Sequence, residues 1–277
     1  MPKTQKPKPG NKRVTGKEQY YTPPELARRL VEETKKHIPD FAKRVIVEPA
    51  GGTGAFVEAA KRAGAKRILS VDIEPKHRDV KKANFLDHEI PEHNAVTISN
   101  PPFGRNNSLS IPFFNRAAEF SEYIAFIVPR SWRKWSVINR LDKNFELIHD
   151  EDLQIDYVDD AGNHLATQSR LNTCFQIWRK TQNPRETIRI PDHGYITKVS
   201  PEEADIALTV FGYNCGRIRT EFPRKKNTTQ MFLKLNHPKV LQALQTADFE
   251  RFYKNTAYTE ALSLQEINFL LNQKLGN

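Results

Sequence analysis

The chain has 277 residues, enough to bury a catalytic-size core beside a smaller module. It is 38% hydrophobic without any apolar run of about 18 residues, which argues against a transmembrane helix. Lys and Arg total 43 against 33 Asp and Glu, and a net charge of +10 favours a polyanionic partner. The two cysteines, Cys174 and Cys215, lie outside any CxxC or Cys/His cluster. That argues against a disulfide scaffold and a zinc site, and fits a reducing cytoplasm.

Residues 1–19 are rich in Pro, Lys and Gly and read as a disordered basic arm; they lack the apolar stretch of a secretory signal. "TPPELARRLVEETKKHI" predicts a helix with Thr22 as N-cap, Pro23 at the first helical position, and Leu26, Leu30 and Val31 on one face. "KRVIVEPAGGTGAFVEAAKRAG" reads as a buried strand, a glycine turn and a helix. "AKRILSVDIEP" and "NAVTISNPPF" predict further strands, "SIPFFNRAAEF" a helix, "EYIAFIVP" a strand and "SWRKWSVINRL" another helix. "FELIHDEDL" and "NTCFQIWRK" read as two strands joined by a polar segment. Alternating strands and helices predict a doubly wound, mostly parallel α/β sheet. Beyond residues 182–190 the pattern changes to short strands and turns, then to helices. This suggests a catalytic domain over 20–182 and a small α+β module over 183–277.

Two stretches carry chemistry. In "VEPAGGTGAF" the strand runs through Gly51, Gly52 and Gly54 into a helix, where backbone can approach a ligand at a strand's C-terminal end. No Lys-Ser/Thr pair follows, so a P-loop is excluded. Asp72 closes the next strand, where a carboxylate can accept ribose hydroxyls. In "VTISNPPFGRNN" the Asn100 side-chain oxygen and a proline-locked carbonyl make two fixed acceptors, suited to an amino group such as the exocyclic amine of adenine. Phe103 offers a face for stacking the base. The plainer alternatives are a structural turn with a solvated Asp, and a strand-ending turn with a buried Phe.

"EPAGGTG", "VDIEP", "ANFLD" and "NPPF", in this order and spacing, resemble the S-adenosylmethionine-dependent amino-methyltransferases. "EQYYTPPELARRLV" ahead of the glycine turn is similar to the extra cofactor motif of adenine-N6 DNA methyltransferases of the gamma motif order. The resemblance implies a Rossmann-like class I methyltransferase fold with a seven-stranded sheet, S-adenosylmethionine as cofactor, DNA or RNA as partner, and chemistry that needs no metal. It gives Tyr21, Thr22 and Pro23 the methionine end of the cofactor, with Glu48, Gly52 and Gly54 beneath it. Asp72 would take the ribose, and Asn84 and Phe85 would flank the cofactor adenine; Asn84 stands where an Asp is common. Asn100, Pro101, Pro102 and Phe103 form the catalytic motif, with Pro102 lending its carbonyl. Phe175 falls where such enzymes stack an aromatic on an extruded base, plain core packing being its rival.

Arg217, Arg219, Arg224, Lys225 and Lys226 interleave with Phe211, Tyr213 and Phe222, a pattern suited to a nucleic-acid strand or, more plainly, to a solvated hairpin. These features together suggest a solitary adenine-N6 DNA methyltransferase of prokaryotic or mobile-element origin, of the restriction-modification kind. RNA methylation and a non-catalytic nucleic-acid-binding subunit are the alternatives.

Overall fold

A computed structural model describes residues 21–159, 161–163 and 171–276. The basic arm and part of the polar segment after residue 159 lie outside the described residues. The first part of the chain contains α1 (Pro24–Lys36), β1 (Val45–Glu48), α2 (Ala55–Arg62), β2 (Arg67–Asp72) and β3 (Lys81–Lys82). It continues with β4 (Ala95–Ser99), α3 (Ser110–Ala118), β5 (Ser121–Pro129), α4 (Trp135–Ile138), β6 (Phe145–Leu153) and β7 (Thr173–Lys180). These seven strands form one sheet in the order β3-β2-β1-β4-β5-β7-β6. Neighbours from β3 to β5 pair in parallel, while β7 runs antiparallel to both β5 and β6. This is the Rossmann-like, mostly parallel seven-stranded architecture that the resemblance implied.

The alternation of side chains along each strand explains why both faces are covered. Ile46, Val96, Ile98, Tyr123, Ala125, Ile127, Phe175 and Ile177 point to one face, beneath Ala27, Leu30 and Val31 of α1 and Phe56, Ala59 and Ala60 of α2. Val45, Val47, Ile124, Phe126, Val128, Cys174 and Trp178 point to the other, where Ile111, Phe114 and Ala117 of α3 cover them. Phe114 lies at the centre of that layer, edge-on to Phe126, Trp132, Phe145 and Trp178. Each such buried ring or aliphatic chain contributes roughly 1.5–3 kcal/mol of transfer free energy.

Two predicted elements shift. Helix α1 begins one residue later than expected, with Pro23 as N-cap and Pro24 at N1, and Thr22 is buried without capping the helix. Proline still suits this end because its missing N–H is one that a first turn leaves unpaired. "SWRKWSVINRL" is not one helix: a 3₁₀ turn over Arg130–Arg133 is broken from α4 by extended Lys134 (φ −76°, ψ 136°). Lys134 breaks the run and sends its ammonium to the buried Glu266 carboxylate, 2.9 Å away.

After residue 195 a second sheet holds β8 (Ile196–Lys198), β9 (Ile206–Thr209), β10 (Ile218–Arg219) and β11 (Gln230–Leu235), in the antiparallel order β10-β9-β11-β8. Helices α5 (Val240–Gln245), α6 (Glu250–Tyr253) and α7 (Leu264–Leu275) pack on it through Val240, Leu244, Phe252, Ile267 and Leu271. Trp135 of α4 packs against both Phe252 of α6 and Phe269 of α7, ring centroids 5.5 and 5.1 Å away, beside the Lys134–Glu266 pair. No helix among the described residues is long and apolar enough to cross a membrane.

Candidate active site

The C-terminal ends of β1, β2 and β4 converge on one edge of the sheet, and Glu48, Asp72 and Ser99 end those strands. The turn after β1 needs glycine at two positions, both for backbone conformation and for space. Gly52 has φ +45°, and a Cβ there would lie 2.8 Å from Cε1 of Tyr21, whose ring rests against this turn. Gly54 has φ +81° at the N-cap of α2, and a Cβ there would meet Cγ of His77 at 2.4 Å. His77 carried no signal in the sequence, because only the folded loop after β2 brings it back onto the turn.

Gly54→Ala is accordingly expected to lower the melting temperature. The left-handed backbone costs a residue with a Cβ about 1–2 kcal/mol, and the contact with His77 adds to that. His77→Ala in the same background should recover the packing share and leave the backbone share. Thermal unfolding of both variants checks this; complete recovery would remove the backbone contribution.

Asp72 fastens the turn to the end of β2. Its Oδ2 accepts the Gly52 N–H at 2.9 Å and its Oδ1 accepts the Glu74 N–H at 2.7 Å. Each carboxylate oxygen has a further lone pair, so both can still receive hydroxyls. Glu48 lies deeper, 1% exposed. Its Oε1 accepts from the Ala50 N–H at 2.9 Å and from the Ser99 hydroxyl at 2.5 Å. Its Oε2 is buried without a hydrogen-bond partner among the described residues. Burial pushes the Glu48 carboxyl up to about 8, against the pull of those two donors. Ser99, which sequence reasoning missed, thereby links the end of β1 to the residue preceding Asn100.

The stretch "NPPFGRNN" leaves β4 as a stiff, folded-back turn. Gly104, Asn106 and Asn107 all have positive φ, a region glycine and asparagine tolerate best. The Phe103 carbonyl accepts the N–H groups of Leu109 and Ser110, and Asn107 donates to the Ser131 hydroxyl at 3.2 Å. These contacts anchor the turn to α3 and to the end of β5, and Asn100 is left half-buried at the head of the turn. Tyr21, Thr22, Ala50, Gly51, Gly52, Thr53, Ala55, Phe56 and Asn100 line one small cleft. Tyr21 is held over it by paired backbone bonds to Val158, each 3.2 Å.

Other predicted residues lie elsewhere. Pro23 caps α1. Asn84 is exposed and caps its own turn, donating to Asp87 and accepting from Leu86 N–H. Phe85 is 1% exposed and packs against Phe113 and Phe120, so its ring belongs to the core rather than to a cofactor surface. Phe103 is 7% exposed and joins the α1 side of the core, which leaves little of its face for stacking. Phe175 is fully buried in β7 beside His149; to stack on a base it would have to leave the core.

In the second sheet Arg217, Lys225 and Lys226 are exposed, while Arg219 is half-buried. Arg224 is exposed as well, but it also donates to the carbonyls of Pro201 and Ala204 and lies 4.2 Å from the Phe222 ring centroid. Those contacts engage one end of its guanidinium, NH1, within the module.

The chain is 42% identical over 48 residues to the type II methyltransferase M1.HphI of Haemophilus parahaemolyticus, a match spanning 17% of this chain and 13% of that protein. Among solved structures, a Pyrococcus horikoshii protein assigned as an RNA methyltransferase aligns with a TM-score of 0.48 and 20% identity, over 59% of this chain and 88% of that one. A modification subunit assigned to a type I restriction enzyme of Vibrio vulnificus aligns at 0.44 and 16% identity, over 62% of this chain and 46% of its own. A 23S rRNA methyltransferase aligns at 0.39 and 14% identity, over 60% and 71%. No family model matches the chain. Its own strand order, with the seventh strand reversed between the fifth and sixth, is the class I methyltransferase fold.

Proposed function

We propose that the protein transfers a methyl group from S-adenosylmethionine to the exocyclic N6 of adenine in DNA. The observation that carries this reading is the meeting of Thr22, Gly52 and Asn100 in one cleft, three residues drawn from three motifs far apart in sequence. The residues fit such a cofactor. The unpartnered Glu48 Oε2 can take a donor of the ammonium kind, Asp72 has lone pairs for ribose hydroxyls, and Gly52 lets the Tyr21 ring lie against the turn at the cleft. Bound there, the cofactor would supply a methyl already activated by its sulfonium. The chain's own task is then positioning and electrostatics, with no covalent enzyme intermediate.

Asn100 Oδ1 and a proline carbonyl would accept the two N–H groups of the target amine. That favours a more tetrahedral nitrogen whose lone pair can attack in line. A base inside a duplex cannot reach this cleft, so the target would be flipped out. The second sheet is suited to receive the strand. Asn172, just ahead of β7, donates to the carbonyls of Ala257 and Tyr258, and Gly212 donates to that of Glu260. Tyr213 and Tyr258 are 90% and 60% exposed on these loops. Because β7 is reversed, Thr173 pairs with Pro129 at the end of β5, so this aromatic rim borders the edge of the sheet that holds the cleft.

Labelled cofactor with duplex DNA, single-stranded DNA or RNA, followed by identification of the methylated nucleoside, tests the reading. N6-methyladenine in DNA is expected; methylated RNA alone would move the substrate to the RNA class, and no methyl transfer to any of the three would overturn the enzyme. Neutralising Arg217, Lys225 and Lys226 together should weaken DNA binding and flatten its salt dependence by about 0.9 unit for each phosphate that is no longer neutralised. An unchanged slope would make this segment a solvated face. Arg224→Ala should instead lower the melting temperature, since its carbonyl partners lie within the module.

A further inference from the structure

We propose that Glu33, His37 and His149 form a binding site for a divalent transition metal of the zinc class, which cross-links α1 to the edge strand β6. The sequence offered no sign of it, because the ligands come from the end of the first helix and from the sixth strand. Glu33 and His37 lie one helical turn apart and so share a face of α1. His149 projects toward that face from β6, beneath the same end of the helix. One ligand atom from each residue lies within 4.8 Å of the other two, and all three side chains are half-buried. Glu33 Oε1 is 3.5 Å from His37 Nε2 and 3.9 Å from His149 Nδ1. Ligands 2.0–2.1 Å from a tetrahedral zinc stand about 3.4 Å apart. The two spacings to Glu33 therefore need to close by about 0.1 and 0.5 Å, while the two histidine nitrogens, within 4.8 Å of each other, close by at most about 1.4 Å.

A second, independent observation points the same way. His149 Nε2 is buried without a hydrogen-bond partner among the described residues, and Oε1 of Glu151 stands 3.8 Å away. A metal-bound histidine characteristically donates its other ring N–H to a carboxylate, which fixes the tautomer and the ring direction. Glu151 is placed for that role, since Arg29 of α1 holds both its oxygens at 3.0 and 2.9 Å. Drawing His149 onto an ion through Nδ1 leaves Nε2–H facing Glu151. The second oxygen of Glu33 is steadied by Lys36 at 2.6 Å, which leaves Oε1 facing the two histidines. Two imidazoles and one carboxylate make a ligand set zinc accepts, with a water completing the tetrahedron. A second His/carboxylate group, Glu58, His77 and Asp79, has Lys61 already paired with both acids and makes a control.

The test uses tag-free full-length protein stripped with chelator and titrated with zinc sulfate by calorimetry, with melting temperatures recorded in parallel. One equivalent should bind, and the melting temperature should rise and saturate at that stoichiometry. His149→Gln and His37→Gln should each abolish both effects while melting like the wild type in chelator. Glu151→Gln should weaken zinc about 10- to 100-fold, as loss of an orienting carboxylate does. His77→Gln should bind zinc as the wild type does. Absence of saturable binding at micromolar zinc would overturn the site, as would equal affinity in His149→Gln and wild type. If a histidine variant proves unfolded, Glu151→Gln and His77→Gln decide alone: equal affinity in Glu151→Gln, or loss of binding in His77→Gln, would also overturn it.

Discussion

Replacing Asn100 with alanine is expected to slow single-turnover methyl transfer by about a hundredfold or more, with cofactor affinity nearly unchanged. The variant removes one of two acceptors for the target amine and leaves a target N–H unpaired in a closed site. The groups proposed to hold the cofactor, Glu48, Gly52 and Asp72, keep their own bonds, none of which runs through the Asn100 side chain. Asn100→Asp should be milder, because a carboxylate still accepts. A purely structural role makes a different demand: the turn is held by Phe103 carbonyl bonds and by Asn107 on Ser131, so a side chain needed only for folding would lower the melting temperature of both variants. Rapid-quench methylation, cofactor titration and thermal unfolding of the same preparations separate the two. Near-normal turnover in a folded Asn100→Ala protein would reduce the motif to a way of ending β4.

The cofactor-free protein should become less stable as pH rises from about 5 to 8, and Glu48 is the cause. Its folded value is raised to about 8 from an ordinary 4.5, chiefly because burial disfavours the charged form. Below 4.5 the folded and unfolded chains both carry the proton, and this contribution to stability is complete. Between the two values only the unfolded chain releases it, so every increment of pH favours unfolding; above about 8 both are ionised and the contribution is gone. At 1.36 kcal/mol per unit, the interval from 4.5 to about 8 corresponds to at most about 5 kcal/mol. Glu48→Gln keeps an oxygen for the Ala50 N–H and the Ser99 hydroxyl but cannot ionise, so its stability should be flatter over this range. Urea unfolding of both proteins at pH 5, 7 and 8.5 checks this; parallel curves would show that Glu48 does not titrate there. A cationic donor reaching Oε2 would favour the carboxylate. Wild type should therefore release a proton on binding S-adenosylmethionine near pH 7, and Glu48→Gln should not, as calorimetry in two buffers of different ionisation enthalpy would report.

The layered fold and the order of its motifs are legible in the residues alone. Runs such as "VIVE", "AVTIS" and "YIAFIV" are mostly apolar because both faces of those strands are covered, and that pattern is local and readable. Glycines at 52 and 54 and the asparagine-proline turn at 100 were legible for the same reason, since each reflects a backbone need of its own residue. Which aromatic rings face a ligand was not legible. Phe85, Phe103 and Phe175 sit in motif positions, yet their burial depends on Phe113, on α1 and on His149, partners that sequence spacing does not reveal. The same holds for charge. Arg224 reads like Lys225 and Lys226 until Pro201 and Ala204 present their carbonyls to it, and Lys134 reads as helical until Glu266 draws it out of the helix. The Glu48–Ser99 bond, the His77 contact with Gly54 and the Glu33–His37–His149 cluster come into being only when distant segments fold together. Periodicity reports which face of an element is apolar, whereas the pairing of two polar groups from distant segments depends on distances that exist only once the sheet has brought them together.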